Sequence, residues 1–282
     1  MIKSNYHTHT LFCDGVNTPR EMAEQALALG FEQLGFSGHM DLDITMNLAA
    51  YDQEIRHLQK EYRGRLDILR GVELDTLFVP RSEEEERLIK EMEYRIGATH
   101  FIPSPSGGVP GCVDDTAEKI IRFCKEEFGG DWYSLAKAYY RTEAEVFEKT
   151  DCTFIGHFDL VTRFNDREHF LDENDPRYTM PALEVMEYLV SLGIPFEINC
   201  GAVNRGRKAE LYPNRFLLRN LRKMGGEIII NSDAHQKELL NGGFGSAVRT
   251  ALDCGFTHTN ILLHNPGGKI ALQEVPLDVP VS

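Results

Sequence analysis

No apolar run in this 282-residue chain approaches the roughly 18 residues that a membrane-spanning helix needs, so an integral membrane protein is not expected. No Cys-x-x-Cys spacing occurs among Cys13, Cys112, Cys124, Cys152, Cys200 and Cys254, which argues against a zinc ribbon or a disulfide framework. The six are read as reduced thiols, and Cys13 and Cys200, which lie near motif residues, as small buried hydrophobes. No basic stripe offsets the net charge of −14, so a nucleic-acid partner is not expected. No Gly-x-Gly-x-x-Gly turn or P-loop follows the first apolar segment, which argues against an open doubly wound sheet with a nucleotide at its switch point. Internal repeats, low-complexity tracts and an internal domain boundary are also lacking, so residues 1–282 read as one domain. Met1 to Ser4 leads straight into the first strand, with no signal peptide expected and a cytoplasmic location predicted.

What is present is an alternation of strand and helix. Ile2 to Tyr6 reads as a first strand, and Thr18-Pro19-Arg20-Glu21 then supplies a capping box with proline at the first helical position. Further strands are expected at 33–37, 66–72, 95–98, 152–156, 195–199 and 227–231, with a short eighth at 261–263. Helices are expected at 51–62, 84–94, 116–127, 131–149, 181–192, 213–224 and within 244–254. The run Glu83 to Glu86 is a negative first helical turn rather than an acidic tail, because Leu88, Ile89 and Met92 follow at helical spacing. Pro103 to Gly111, rich in proline, glycine and serine, can be neither helix nor central strand and reads as a loop over the site. Strand–helix alternation of this length predicts a (β/α) barrel, whose functional residues sit at the C-terminal ends of strands.

The histidines fit that expectation. His7 and His9 are one residue apart in an extended segment, so their side chains point the same way and form a chelating pair. Asp14 follows this pair, and other candidate ligands stand where apolar runs end: His39, Glu73, His100, His157, Asp233 and His235. A lone histidine at a strand end is ordinarily a hydrogen-bonded core residue. Of the ten histidines, however, only His57, His169, His258 and His264 fall outside such a motif, and this repetition points to a metal site.

These residues carry a resemblance. His7-Thr8-His9 with Asp14, Ser37-Gly38-His39, Gly71-Val72-Glu73, Thr99-His100-Phe101, Gly156-His157-Phe158-Asp159 and Ser232-Asp233-Ala234-His235 resemble the successive motifs of the polymerase and histidinol phosphatase (PHP) superfamily, in order and over nearly the whole chain. Gly129-Gly130-Asp131, Ala138-Tyr139-Tyr140 and Phe196-Glu197-Ile198-Asn199 resemble its stand-alone histidinol phosphatases. The resemblance implies a distorted (β/α)7 barrel, similar to a TIM barrel, holding up to three divalent metals. It places His7, His9, Glu73 and Asp233 on a first metal, Glu73, His100 and His157 on a second, and Asp14, His39 and His235 on a third. Many members have histidine in place of Asp14. Mixed nitrogen and oxygen donors suit zinc, manganese or iron.

The chemistry expected of such a cluster is hydrolysis of a phosphate monoester by in-line attack of a metal-activated water, with Asp14, His39, Glu73, Asp233 and His235 as the catalytic face. Arg163 and Arg205 follow the fifth and sixth strands and are expected to grip the phosphate, while Arg207 and Lys208 read as surface residues. Asp41, Asp43, Asp75 and Asp159 lie just beyond motif residues, and Asp159 could orient a ligand histidine. The resemblance implies L-histidinol phosphate as the substrate, in histidine biosynthesis. Another small phosphomonoester or a nucleotide is the alternative, and a non-catalytic metal-binding protein is disfavoured because all nine ligand positions are filled. A small phosphorylated metabolite is the expected partner, with monomer and homodimer equally open.

Overall fold

The structure, a computed structural model, describes residues 2–44, 46–264 and 270–278. In chain order it comprises β1 (Ser4–Asn5), α1 (Pro19–Ala28), β2 (Gln33–Met40), α2 (Leu48–Glu61), β3 (Asp67–Asp75), α3 (Glu83–Lys90), β4 (Tyr94–Ala98), β5 (Phe101–Ile102), β6 (Gly111–Cys112), α4 (Ala117–Phe128), α5 (Trp132–Glu143) and α6 (Val146–Thr150). It continues through β7 (Phe154–Ile155), α7 (Asn165–Glu168), α8 (Pro176–Ser191), β8 (Phe196–Asn199), α9 (Gly201–Asn204), α10 (Arg215–Lys223), β9 (Ile228–Asn231), α11 (Phe244–Asp253), β10 (His258–His264) and β11 (Ile270–Pro276). The caps follow local chemistry. The Thr18 hydroxyl accepts from the Glu21 amide while the Glu21 carboxylate accepts from the Thr18 amide, the reciprocal box that opens α1.

Seven parallel strands, β1-β2-β3-β4-β7-β8-β9, run side by side. They close into a barrel where Thr8 bridges Ala234 in parallel: the His9 amide donates to Ala234 O at 2.9 Å and the Ala234 amide to His7 O at 3.2 Å. This closure lies at the C-terminal ends of β1 and β9. At the opposite end β10 reaches across the seam, its Leu262 amide donating to the Tyr6 hydroxyl and its Leu262 carbonyl accepting from Gln33 Nε2.

Two apolar regions result. A small one fills the barrel, built from Tyr6, Leu69, Tyr94, Ile96, Phe154, Ile229 and Leu262. The Tyr94 hydroxyl donates to Tyr6 O and Phe36 O, and its ring lies where side chains on Gly35 and Gly71 would otherwise stand. The larger region packs the helices on the outside of the strands. The barrel interior is therefore apolar at its base, and its upper part is left to polar side chains.

Some elements differ from expectation. The helix expected over 131–149 breaks at Ala144 and Glu145, which lets Val146 and Thr150 of α6 pack on the bare face of Gly97. The helix expected from Pro181 starts at Pro176, because Asp175 caps the Arg177 amide and proline suits the first position. The short eighth strand is seven residues long and pairs antiparallel with β11, which was not anticipated. Residues 103–110 connect the antiparallel strands β5 and β6, so that Gly111 of the expected loop is already strand, and Ser104 and Ser106 are tied to Glu127 of α4. The cavity above the barrel is bordered by Phe101 of β5 and Cys112 of β6, and none of residues 103–110 lines it.

Candidate metal centre

The strand ends assemble the site by register. His39 and Glu73 are paired neighbours across β2 and β3, and Glu73 is paired with Ile96 of β4. His7 and His9 flank Thr8, whose hydroxyl turns outward to donate to Gly35 O, so both imidazoles turn inward. His100, His157, Asp233 and His235 arrive from the turns after β4, β7 and β9. Asp233 takes the left-handed conformation (φ 50°) that aspartate tolerates better than most residues. A side chain on the facing Gly201 would collide with Asp233 Oδ2 and the Arg205 guanidinium.

Glu73 is the centre of the cluster. Its Oε1 lies 2.9 Å from His157 Nε2 and 3.3 Å from His100 Nε2. Its Oε2 lies 3.1 Å from both His7 Nε2 and His39 Nδ1, and 3.5 Å from His9 Nε2. Asp233 Oδ1 approaches His9 Nε2 at 3.3 Å and His235 Nδ1 at 3.4 Å, and Asp14 Oδ2 approaches His235 Nε2 at 3.0 Å. All nine expected residues are thus brought together. They fall into four overlapping groups whose donor atoms lie within 4.8 Å of one another: His9, Asp14, His39 and His235; His7, His9 and Asp233; His7, Glu73 and His157; His39, Glu73 and His100.

The electrostatics of this cluster fit divalent ions. Burial pushes Glu73 up, yet the charges of His7, His39 and His100 outweigh it and hold the carboxyl well below its usual range. Burial pulls His7 down, but Glu197, Glu73 and Asp233 raise it well above the ordinary imidazole value. His9, pulled down by burial and by the neighbouring His235 and His39, falls to about 3 and keeps a free lone pair. His9 Nε2 and His39 Nδ1 are buried with no hydrogen-bond partner among the described residues. Ionised carboxylates interleaved with unpartnered imidazole nitrogens form a donor set for borderline or hard divalent cations.

Arg163 and Arg205 both border the cavity over this cluster, a space of about 480 Å³. Arg163 reaches Asp114 Oδ2 at 3.4 Å, and Arg205 donates to Asp233 O at 2.9 Å and Asp233 Oδ2 at 3.0 Å. Part of the Arg205 fork therefore holds Asp233 in place. Arg207 stands exposed at the mouth of the same cavity. Lys208, expected on the surface, is instead buried, because its ammonium bonds Thr162 Oγ1 at 2.7 Å and faces Glu173 and Asp166. Asp159 is bonded to no histidine; its Oδ2 accepts from the Asn214 amide, and burial pushes its carboxyl up to about 7.

The orienting role expected of Asp159 falls to Glu197 and Asp75. Glu197 is fully buried on β8 and accepts from His7 Nδ1 at 2.7 Å, the His157 amide at 3.1 Å, Asn199 Nδ2 at 2.8 Å and Asn231 Nδ2 at 3.0 Å. Engaging Nδ1 turns the Nε2 edge of His7 toward Glu73. Asp75 Oδ2 accepts the His100 amide at 2.6 Å and lies 3.4 Å from its Nδ1. Sequence reasoning assigned Glu197 no role, although a glutamate inside an apolar strand is itself a signal. Glu197→Gln is expected to weaken metal retention by roughly 10- to 100-fold, the usual cost of losing such a partner. Competition with a chelator measures this, and unchanged retention would reduce Glu197 to a packing role.

Comparison with known proteins agrees with this geometry. Residues 5–200 match the PHP domain family. A Deinococcus radiodurans protein described as a probable histidinol-phosphatase is 31% identical, with 88% of this chain and 92% of that protein covered. The Bacillus subtilis histidinol-phosphatase is 27% identical over 84% of this chain and 94% of its own. A Lactococcus lactis histidinol phosphate phosphatase, solved with zinc, L-histidinol and phosphate, superposes with a TM-score of 0.69 at 23% identity, covering 95% of this chain and 98% of that one. The barrel, the strand-end donor cluster and the extent of the match place the chain in the PHP domain family.

Proposed function

We propose that residues 1–282 act as one metal-dependent phosphomonoesterase that hydrolyses L-histidinol phosphate to L-histidinol and phosphate. The observation that carries this reading is the clustering of nine side chains able to ligate metal, Glu73 at their centre, beneath a cavity that two arginines border. Relatives named for this activity, aligned over most of their own length, support the substrate.

His7, His9, Glu73 and Asp233 would hold one ion, Glu73, His100 and His157 a second, and Asp14, His39 and His235 a third. When bound, such ions bring the pKa of a coordinated water toward about 7 and offset the charge of the phosphoryl oxygens. The protein's own groups do the rest. Glu197 fixes the His7 ring, and Asp75 holds the His100 backbone amide with its carboxylate 3.4 Å from the ring Nδ1, so the donors need little rearrangement. Arg163, whose Nε has no partner among the described residues, can turn its fork to the phosphate, and Arg205 can do so while holding Asp233. Asp41, Asp43, Asp114 and Asp115 border the same cavity, and their charge suits the ammonium and imidazole of histidinol phosphate.

The test is phosphate release by purified zinc- or manganese-loaded protein from L-histidinol phosphate, p-nitrophenyl phosphate and a nucleoside monophosphate. A kcat/KM of about 10⁴ M⁻¹s⁻¹ or more for histidinol phosphate, at least roughly tenfold above the others, is expected. Slow and similar hydrolysis of all three would keep the reaction class and overturn the substrate.

A further inference from the structure

Tyr212 is the residue in the cavity wall whose arrangement the metal centre does not explain. It is 2% exposed and borders the cavity, and its hydroxyl has no hydrogen-bond partner among the described residues. A buried donor left without an acceptor costs on the order of 1–3 kcal/mol, so such a group calls for an account. The charges acting on this hydroxyl come from Arg163, Asp159, Asp114 and Arg205, three of which border the same cavity. Its ring also stands edge-on to His157, with centroids 6.5 Å apart. Tyr212 therefore stands in the cavity wall together with Arg163 and Arg205, the groups that would face a phosphate.

Its placement is rigid. Tyr212 bridges Asn199 at the end of β8, the Asn199 amide donating to Tyr212 O at 2.8 Å and the Tyr212 amide to Asn199 O at 3.2 Å. Lys208, itself fixed to Thr162, sits 5.3 Å from the ring centroid. A donor held by backbone pairing to a barrel strand meets a reacting atom at low reorganisation cost.

The other cavity groups leave one task open. The arginine forks match two phosphoryl oxygens, and the histidines belong to the metal groups. The Cys112 thiol is taken up by Asp114 Oδ1 at 3.2 Å, and Asp43, Asp115 and Arg207 are exposed at the mouth. The oxygen that departs with the alcohol gains negative charge in the loose transition state of phosphoryl transfer and needs a donor. We propose that the Tyr212 hydroxyl is a substrate-contacting catalytic residue that donates a hydrogen bond to this bridging ester oxygen. The proposal rests on the phosphomonoesterase reading above.

The experiment is Tyr212→Phe in the metal-loaded full chain, assayed with L-histidinol phosphate and with p-nitrophenyl phosphate. An alkoxide is far more basic than a nitrophenolate, so it depends far more on a donor. Loss of the hydroxyl should lower kcat/KM by roughly 10- to 100-fold for the alkyl ester, within the range for removing one positioned donor, and by less than about threefold for the aryl ester. Retained aryl-ester hydrolysis also certifies folding and metal loading of the variant, with competitive inhibition by inorganic phosphate as a second check on the site. Equal losses on both esters, or no loss on either, would overturn the role of Tyr212 and leave the phosphatase reading standing. A wild-type protein that hydrolyses neither ester would overturn both.

Discussion

Glu73→Gln should lower kcat/KM by roughly 10³-fold or more, because a divalent ion contributes several kcal/mol to the transition state and each 1.4 kcal/mol is tenfold in rate. Among the described residues Glu73 is the one side chain whose two oxygens face five different histidines: His100 and His157 on one side, His7, His9 and His39 on the other. The amide keeps the shape but supplies a single acceptor, and its NH₂ group would point at imidazole nitrogens that must themselves act as donors to metal. It also removes the negative charge that holds those rings together in a buried site. Metal content should fall by at least one ion per chain relative to wild type, read by elemental analysis beside the kinetics. A variant that keeps full metal content and near wild-type turnover would sink the bridging role.

Much of this centre was legible in the sequence because its signals are local. The His7–His9 pair needs only the two-residue period of an extended chain, and His39, Glu73, His100, His157 and Asp233 each follow an apolar run that reads as a strand. Parallel strands in a barrel deliver all such ends to one rim, so order along the chain became proximity in space. What stayed hidden depends on pairings remote in sequence. Glu197 meets His7 across 190 positions, inside a strand where no neighbour marks its face. Lys208 is buried only because Thr162, Glu173 and Asp166 converge on it from the segment after β7. Tyr212, which no sequence motif marks, is held beside the site by the backbone pairing with Asn199. The break between α5 and α6 likewise follows from the bare surface of Gly97 on a neighbouring strand, which helical periodicity in 131–149 does not report.

Removing the metals should both abolish turnover and lower the melting temperature, by an amount that grows with pH. A ligand at a thousand times its dissociation constant stabilises the folded state by about 4 kcal/mol per site. In a domain of this size that is a fall of about 8–16 °C for each ion lost, at about 2–4 °C per kcal/mol. The pH dependence follows from the directions of the shifts. In the metal-free protein His7, His100 and His235 are raised, each against the opposing pull of burial, by neighbouring carboxylates. Their contribution to stability is fully present below about 6.5, the ordinary imidazole value, and is lost as pH rises through the folded values. Glu73 and Asp233 are lowered despite burial, so their contribution is present above the ordinary carboxylate range and lost on acidification. The metal-free protein is thus favoured between about pH 5 and 6.5, where carboxylates are ionised and these imidazoles charged. Metal binding needs neutral imidazoles, so it releases protons and tightens as pH rises. The difference in melting temperature between metal-loaded and chelator-treated protein should therefore widen from pH 5.5 to pH 8, and zinc added to metal-free protein at pH 7 should acidify a weakly buffered solution. A difference that is constant or narrows over that range would mean that these histidines do not give up protons to the metals.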